Sequence, residues 1–202
     1  MIMNLREPKP WTAADGLFNH AVNYACGVKP INGWVNLDIF DASFTSSLEK
    51  GASLEHLDSV FNVDLLGQHP FSDNSFNLAY CEDFVEHLDQ REAILFFTEV
   101  LRTLRPGGVF RLATPSLDGV MNQHFRYPTR EIAYHQADNA FTRWGHKHFF
   151  THESLKVMIT SIGFTDYREC RFGVSDSVGL RGRETRHAQI GLNLYAEMRK
   201  PL

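Results

Sequence analysis

Three groups of residues in this sequence are of types and spacings that could do chemistry. The first is a turn of small residues, Ala25-Cys26-Gly27, with Asp38 following eleven positions after Gly27. A backbone without bulk lets a ligand approach closely, and a carboxylate can accept both hydroxyls of a ribose. The second is Asp83, Glu86 and His87, spaced i, i+3, i+4, which would share one face of a helical turn. The third is His146-Lys147-His148 with His152. In extended backbone His146 and His148 point to the same side, a spacing found in metal sites, and a histidine also titrates where a general base must. Three ligands from one turn need outside help to complete a site, and no carboxylate accompanies the later histidines with clear geometry, so neither group is read as a metal centre. His87, His146 and His148 stand as candidate bases, with packing and hydrogen bonding as the ordinary alternative.

The elements that must position these groups alternate. Apolar runs predict strands at His20 to Tyr24, Trp34 to Ile39, Phe61 to Asp64, Phe76 to Cys81 and Val109 to Thr114. Asp89 with Glu92 makes a capping box for a helix whose apolar face is Ala93, Phe97, Val100, Leu101 and Leu104, ending at Arg105-Pro106-Gly107-Gly108. Thr151 can cap a second helix with Leu155, Met158, Ile159 and Ile162 on its core face and Gly163 at its end. Leu192 to Met198 alternates apolar and polar residues, which marks an antiparallel or edge strand. Residues 116 to 150, rich in aromatic residues and histidine, resist such reading and leave the sheet where open α/β folds place ligands. They are expected to form a lid and acceptor pocket inside one domain spanning 1 to 202. Strands alternating with helices imply an α/β three-layer sandwich with a mostly parallel, Rossmann-like sheet.

Composition narrows the function classes. A net charge of −4 supplies no global basic field, so nucleic acid is a poor partner. Three unclustered cysteines fit neither a disulfide framework nor a zinc ribbon and suggest a reducing, cytoplasmic setting. The opening MIMNLREPKPW lacks an apolar core and no run is long enough to span a bilayer, so no membrane association is expected. Arg181, Arg183 and Arg186 could meet a phosphate or carboxylate on a substrate, although a solvated charged loop is the commoner use of such residues.

The first group decides between ligands. A dinucleotide fold needs a helix after its glycine turn to hold a pyrophosphate, with the ribose acid ~20 residues on. Residues 28 to 34, Val-Lys-Pro-Ile-Asn-Gly-Trp, contain both Pro and Gly and cannot form that helix, so a nucleoside without phosphates is the better match. This also disfavours a dinucleotide-dependent oxidoreductase.

At this point the chain resembles the class I S-adenosylmethionine-dependent methyltransferases, in a small branch with a shortened first motif. The resemblance lies in NYACG then GWVNLD at 23 to 38, VDLLGQHPFSDNSFNLAYCEDFVEHL at 63 to 88, EVLRTLRPGGVFRLATPSL at 99 to 117, HKHFFTHESL at 146 to 155, SIGF at 161 to 164 and LYAEMRKP at 194 to 201. It implies a seven-stranded sheet with a C-terminal antiparallel strand, and S-adenosyl-L-methionine as cofactor, with S-adenosyl-L-homocysteine as product. It further implies that Ala25 and Gly27 line the methionine portion, Asp38 followed by Ile39 holds the ribose, Asp64 with Leu65 frames the adenine, and Cys81 and Glu82 lie beneath the sulfonium. Tyr24 could offer its ring to the sulfonium, with core packing as the alternative. Ala25 stands where the family usually has Gly, which is harmless if its φ is negative. The implied reaction is O- or N-methylation of a small-molecule or carrier-linked acceptor, with a homodimer left open. A cofactor-binding or protein-interaction domain without turnover is the alternative that Ala25 keeps alive.

Overall fold

The computed structural model describes Thr12 and residues 20–39, 60–125 and 129–202. Seven strands form one sheet: β1 Ala21–Tyr24, β2 Val35–Asp38, β3 Val60–Asn62, β4 Phe76–Glu82, β5 Leu104–Pro115, β6 Thr165–Glu169 and β7 Asn193–Arg199, in the order β3-β2-β1-β4-β5-β7-β6. Neighbours among β1 to β5 are parallel, whereas β7 runs antiparallel to both β5 and β6. The predicted sheet is therefore present, with its single reversed strand. The strand order turns back between β1 and β4, and in open parallel sheets a crevice forms at such a point beyond the carboxyl ends. The first two chemical groups sit at that edge.

Helix α1, Gln90–Thr103, covers the middle of the sheet. Asp89 and Glu92 close both halves of the capping box, each accepting the other's backbone N–H at 2.8 Å. Its buried stripe of Ala93, Phe96, Phe97 and Val100 follows helical spacing, and Phe96 meets Tyr24 edge-on at 5.5 Å. The helix ends at Thr103, and Leu104 already belongs to β5, so the Arg-Pro-Gly-Gly segment lies in the strand rather than in the helix stop. The pyrrolidine of Pro106, which cannot continue a helix, is tolerated in a strand.

Residues 116 to 150 hold two helices, α2 Leu117–His124 and α3 Arg130–Ala140, with a short 3-10 turn at Thr142–Trp144. Ser116 caps α2 by accepting from the Gly119 amide. A side chain at Gly119 would collide with the backbone of Leu192, which explains why that residue is glycine and fixes α2 against the start of β7. Helix α4, His152–Ile162, begins at Thr151 with a capping box completed by Ser154 and ends at Gly163, as the sequence predicts.

Strand β7 is buried along nearly its whole length, because it lies between β5 and β6 rather than at an edge. Its alternation reflects buried polar partners. Arg111 on β5 is fully buried, donating from Nε to Glu184 at 2.5 Å and from Nη1 to Glu197 at 2.9 Å. The same guanidinium reaches the carbonyls of Val174 and Arg171, and Glu184 also accepts from the Gly173 amide. One arginine thus ties the loop after β6 to the sheet. Among the described residues no helix is long and apolar enough to cross a membrane.

Candidate functional site

The turn after β1 is built by left-handed backbone and by buried amides. Ala25 has φ +50° and Gly27 φ +52°, so the condition for a harmless alanine is not met. A left-handed non-glycine residue costs roughly 1–2 kcal/mol. Asn36, buried in the middle of β2, donates to the Ile31 carbonyl and accepts from the Ile31 amide, while Asn23 donates to Asn36 and to the Lys29 carbonyl. These two asparagines hold residues 29 to 31 as a loop. They are the physical means by which the chain crosses to β2 without a helix. Sequence reading passed over them, although a polar amide inside a buried strand is a signal that it has a fixed partner.

Asp38 ends β2 with its carboxylate laid across the turn. Oδ2 accepts from the Gly27 amide at 2.6 Å and Oδ1 from the Ile39 amide at 2.7 Å. Each oxygen has further lone pairs, so this seating orients the group for ligand hydroxyls rather than exhausting it. A Cβ added at Gly27 would meet nothing within 4 Å, so the turn borders open space. That space is a cavity of about 550 Å³ whose walls include Ala25, Gly27, Lys29, Glu82, Asp83 and Arg186. Its volume is in the range of small-molecule sites, ~300–1,000 Å³. Both signs of charge line it: Lys29 Nζ and Arg186 Nη2 each lie 3.9 Å from a Glu82 oxygen. Burial, and next the charge of Arg186, lowers the Lys29 pKa, against the pull of Glu82.

Asp83 follows β4 with φ +52°, held by its amide on the Ala113 carbonyl and by Gln189 and Asn193, each donating to its carboxylate at 2.9 Å. Arg186 contacts the same carboxylate. Strained backbone so firmly over-determined is a recurrent mark of ligand sites. Asp83 and Arg186 also border a second cavity, of about 590 Å³, whose walls include Glu86, His87, His124 and His146.

Glu86 and His87 lie in the 3-10 turn Val85–His87, with Glu86 buried. Thr114 donates to Glu86 Oε2 at 2.9 Å, and His87 Nε2 is 3.9 Å from Oε1. Burial pushes the Glu86 carboxyl up to about 7, against the backbone and Thr114 hydrogen bonds that favour its ionised form. The rings of His87 and His146 meet at 4.9 Å. His146 Nδ1 lies 2.7 Å from the Ala140 carbonyl. Burial lowers the pKa of both. The amides of Lys147 and His148 both donate to the Glu86 carbonyl, so the segment is not an extended strand and its histidines part company. His148 meets Phe150 edge-on at 4.4 Å and contacts Gln90, outside the second cavity's walls.

The methyltransferase-domain family model matches residues 32–112, the stretch that carries Asp38, Glu82, Asp83, Glu86 and His87. Over that stretch, 81 of the 202 residues, the chain is similar to S-adenosylmethionine-dependent methyltransferases. No curated protein sequence matches it. The fold is shared with solved methyltransferases at low identity. A methyltransferase from Archaeoglobus fulgidus aligns with TM-score 0.57 and 14% identity over 92% of this chain and 86% of that one. One from Mesorhizobium loti aligns at 0.55 and 18%, over 89% of each chain. Phosphoethanolamine N-methyltransferase 2 of Haemonchus contortus, solved with phosphomonomethylethanolamine and S-adenosylhomocysteine, aligns at 0.55 and 12% over 90% of this chain, which spans 48% of that enzyme.

The predicted cofactor residues divide when placed in the fold. Ala25, Gly27 and Glu82 line the first cavity, and Asp38 sits across the same turn. Ile39 is 53% exposed beside Asp38, free to cover a flat ligand. Tyr24 is fully buried in the core, its hydroxyl 2.9 Å from Thr103, which is the packing arrangement given as its alternative. Cys81 is likewise buried in the core. Asp64 is exposed and accepts from the Leu66 amide at 2.9 Å, a turn-forming contact, while Leu65 is buried. Of the three arginines in the later loop, Arg181 and Arg183 bond to nearby carbonyls, Arg183 lies over Trp34 at 4.9 Å, and Arg186 alone faces both cavities.

Proposed function

We propose that this protein is a methyltransferase that binds S-adenosylmethionine along the carboxyl edge of β1, β2 and β4 and methylates a small-molecule acceptor, free or carrier-linked, held in the second cavity. The observation that carries this reading is that the two cavities adjoin, sharing Asp83 and Arg186 as a common wall. A donor in the first and an acceptor in the second would meet there. The residues of the first cavity suit the donor: Asp38 for ribose hydroxyls, Glu82 for an α-ammonium, and Lys29 for an α-carboxylate.

When bound, the cofactor would supply an activated sulfonium methyl whose carbon an aligned nucleophile can attack in line, S-adenosylhomocysteine leaving as the neutral thioether. The chain's share is alignment and proton handling. Asp83, strained and cross-braced, fixes the boundary between donor and acceptor. His87 and His146, neutral near pH 7 and facing the acceptor cavity, can take a proton from a hydroxyl or ammonium. Helices α2 and α3, with the turn after them, wall the acceptor side and act as its lid.

The test is to titrate the full chain with S-adenosylhomocysteine and to assay its release from S-adenosylmethionine over a panel of hydroxyl and amine acceptors. Binding with turnover supports the proposal. Binding without turnover on any acceptor would favour a cofactor-binding domain that lacks catalysis.

A further inference from the structure

The fold unites residues that sequence spacing keeps apart. Glu86 and His87 belong to one group and His146 to another, yet a carboxylate oxygen of Glu86 and ring nitrogens of both histidines all lie within 4.8 Å of one another. We propose that Glu86, His87 and His146 bind one divalent transition-metal ion, and that its open coordination position holds an oxygen atom of the acceptor. This rests on the second cavity being the acceptor site.

Each ligand is already prepared by its surroundings. His146 Nδ1 is 2.7 Å from the Ala140 carbonyl, a contact that places the proton on Nδ1 and leaves the Nε2 lone pair for a metal. His87 lies with Nε2 3.9 Å from Glu86 Oε1 and its ring edge-on to that of His146. Thr114 occupies Oε2 of Glu86 and so leaves Oε1. Bonds of ~2.0–2.2 Å to one ion place neighbouring ligand atoms roughly 3–4 Å apart, so the rings need to close by about 1 Å.

Charge points the same way. Glu86 is buried, and among the described residues no lysine or arginine pairs with it. Buried carboxylates are ordinarily paired or coordinate a metal. Two nitrogen ligands and one carboxylate suit zinc, manganese or cobalt, and three protein ligands leave positions open toward a cavity of about 590 Å³. A metal there would hold an acceptor hydroxyl or phenol oxygen beside the donor boundary at Asp83 and, with both histidines engaged as ligands, would itself lower that oxygen's pKa in place of a histidine base.

The test uses chelator-stripped full chain titrated separately with Zn²⁺, Mn²⁺ and Co²⁺ by calorimetry, with Co²⁺ also followed by its visible absorption. We expect one ion per chain for at least one metal. His146→Ala and Glu86→Gln should each weaken binding at least tenfold, and His148→Ala should leave it unchanged. Circular dichroism and S-adenosylhomocysteine affinity, measured on the same samples, establish that each variant is folded. No metal bound by wild type, or equal affinity in His146→Ala, or equal loss in His148→Ala, overturns the inference. Because S-adenosylhomocysteine binding is read without metal, failure of the donor reading would show itself separately.

Discussion

Two buried carboxylate centres hang on β5, three residues apart and therefore on opposite faces of the sheet. Around Arg111, Glu184 and Glu197 face a guanidinium that also donates to two carbonyls, and Glu197 accepts from Arg168 as well. Around Thr114, Glu86 receives one hydroxyl and faces two neutral histidines beside a cavity. The first centre is closed and joins loop to sheet. The second is equally buried but open on one side, and it shares a cavity with the strained Asp83. Burial of charge therefore does not distinguish architecture from site in this molecule; what distinguishes them is whether the charge is answered within the fold.

Breaking the closed centre should have the largest effect. Arg111→Met leaves Glu184 buried without its cation and Glu197 with Arg168 alone, and we expect denaturant unfolding to show a loss of ~3–5 kcal/mol. Replacing Arg111, Glu184 and Glu197 together by apolar residues of similar volume should recover most of that loss, since the burial cost of all three charges disappears.

Glu86→Gln should act in the opposite sense. In metal-free protein the folded carboxyl titrates at about 7 against 4.5 when exposed, because burial disfavours its charge. Between those values the native state holds a proton that the unfolded chain has lost, so stability falls as pH rises from 4.5 to 7, and the full penalty applies above 7. Glu86→Gln should flatten that slope and raise stability at pH 8 by on the order of 2–3 kcal/mol, read from unfolding midpoints across pH. An unchanged slope would place Glu86 with the closed centre. A smaller probe addresses the strain at the open edge: Ala25→Gly should stabilise the fold by roughly 0.5–1 kcal/mol, left-handed strain being relieved and partly offset by the entropy of the freer unfolded chain. No gain would mean that the turn carries no such strain.

The closed architecture was largely legible in sequence because its signals are local. Asp89 with Glu92, Thr151 with Gly163, and the apolar strands each declare themselves within a few residues. The Asp38 position was legible for the same reason. Helices α2 and α3 were not, since their faces mix polar and aromatic residues and their packing depends on Leu192, far along the chain. The interior place of β7 was hidden because Glu197 and Asn193 mimic a solvent-facing stripe while bonding to Arg111 and Asp83. The meeting of Glu86 with His146 is a long-range contact that no spacing rule encodes.

The central claim is that Asp38, seated on the turn of Ala25 to Gly27, holds a nucleoside at the carboxyl edge of the sheet. Calorimetric titration of S-adenosylhomocysteine into wild type and Asp38→Ala tests it most directly. The account predicts one site per chain, weakened at least tenfold, or ~1.4 kcal/mol, in the variant. Equal affinity in the two proteins, or no binding to wild type, would contradict it.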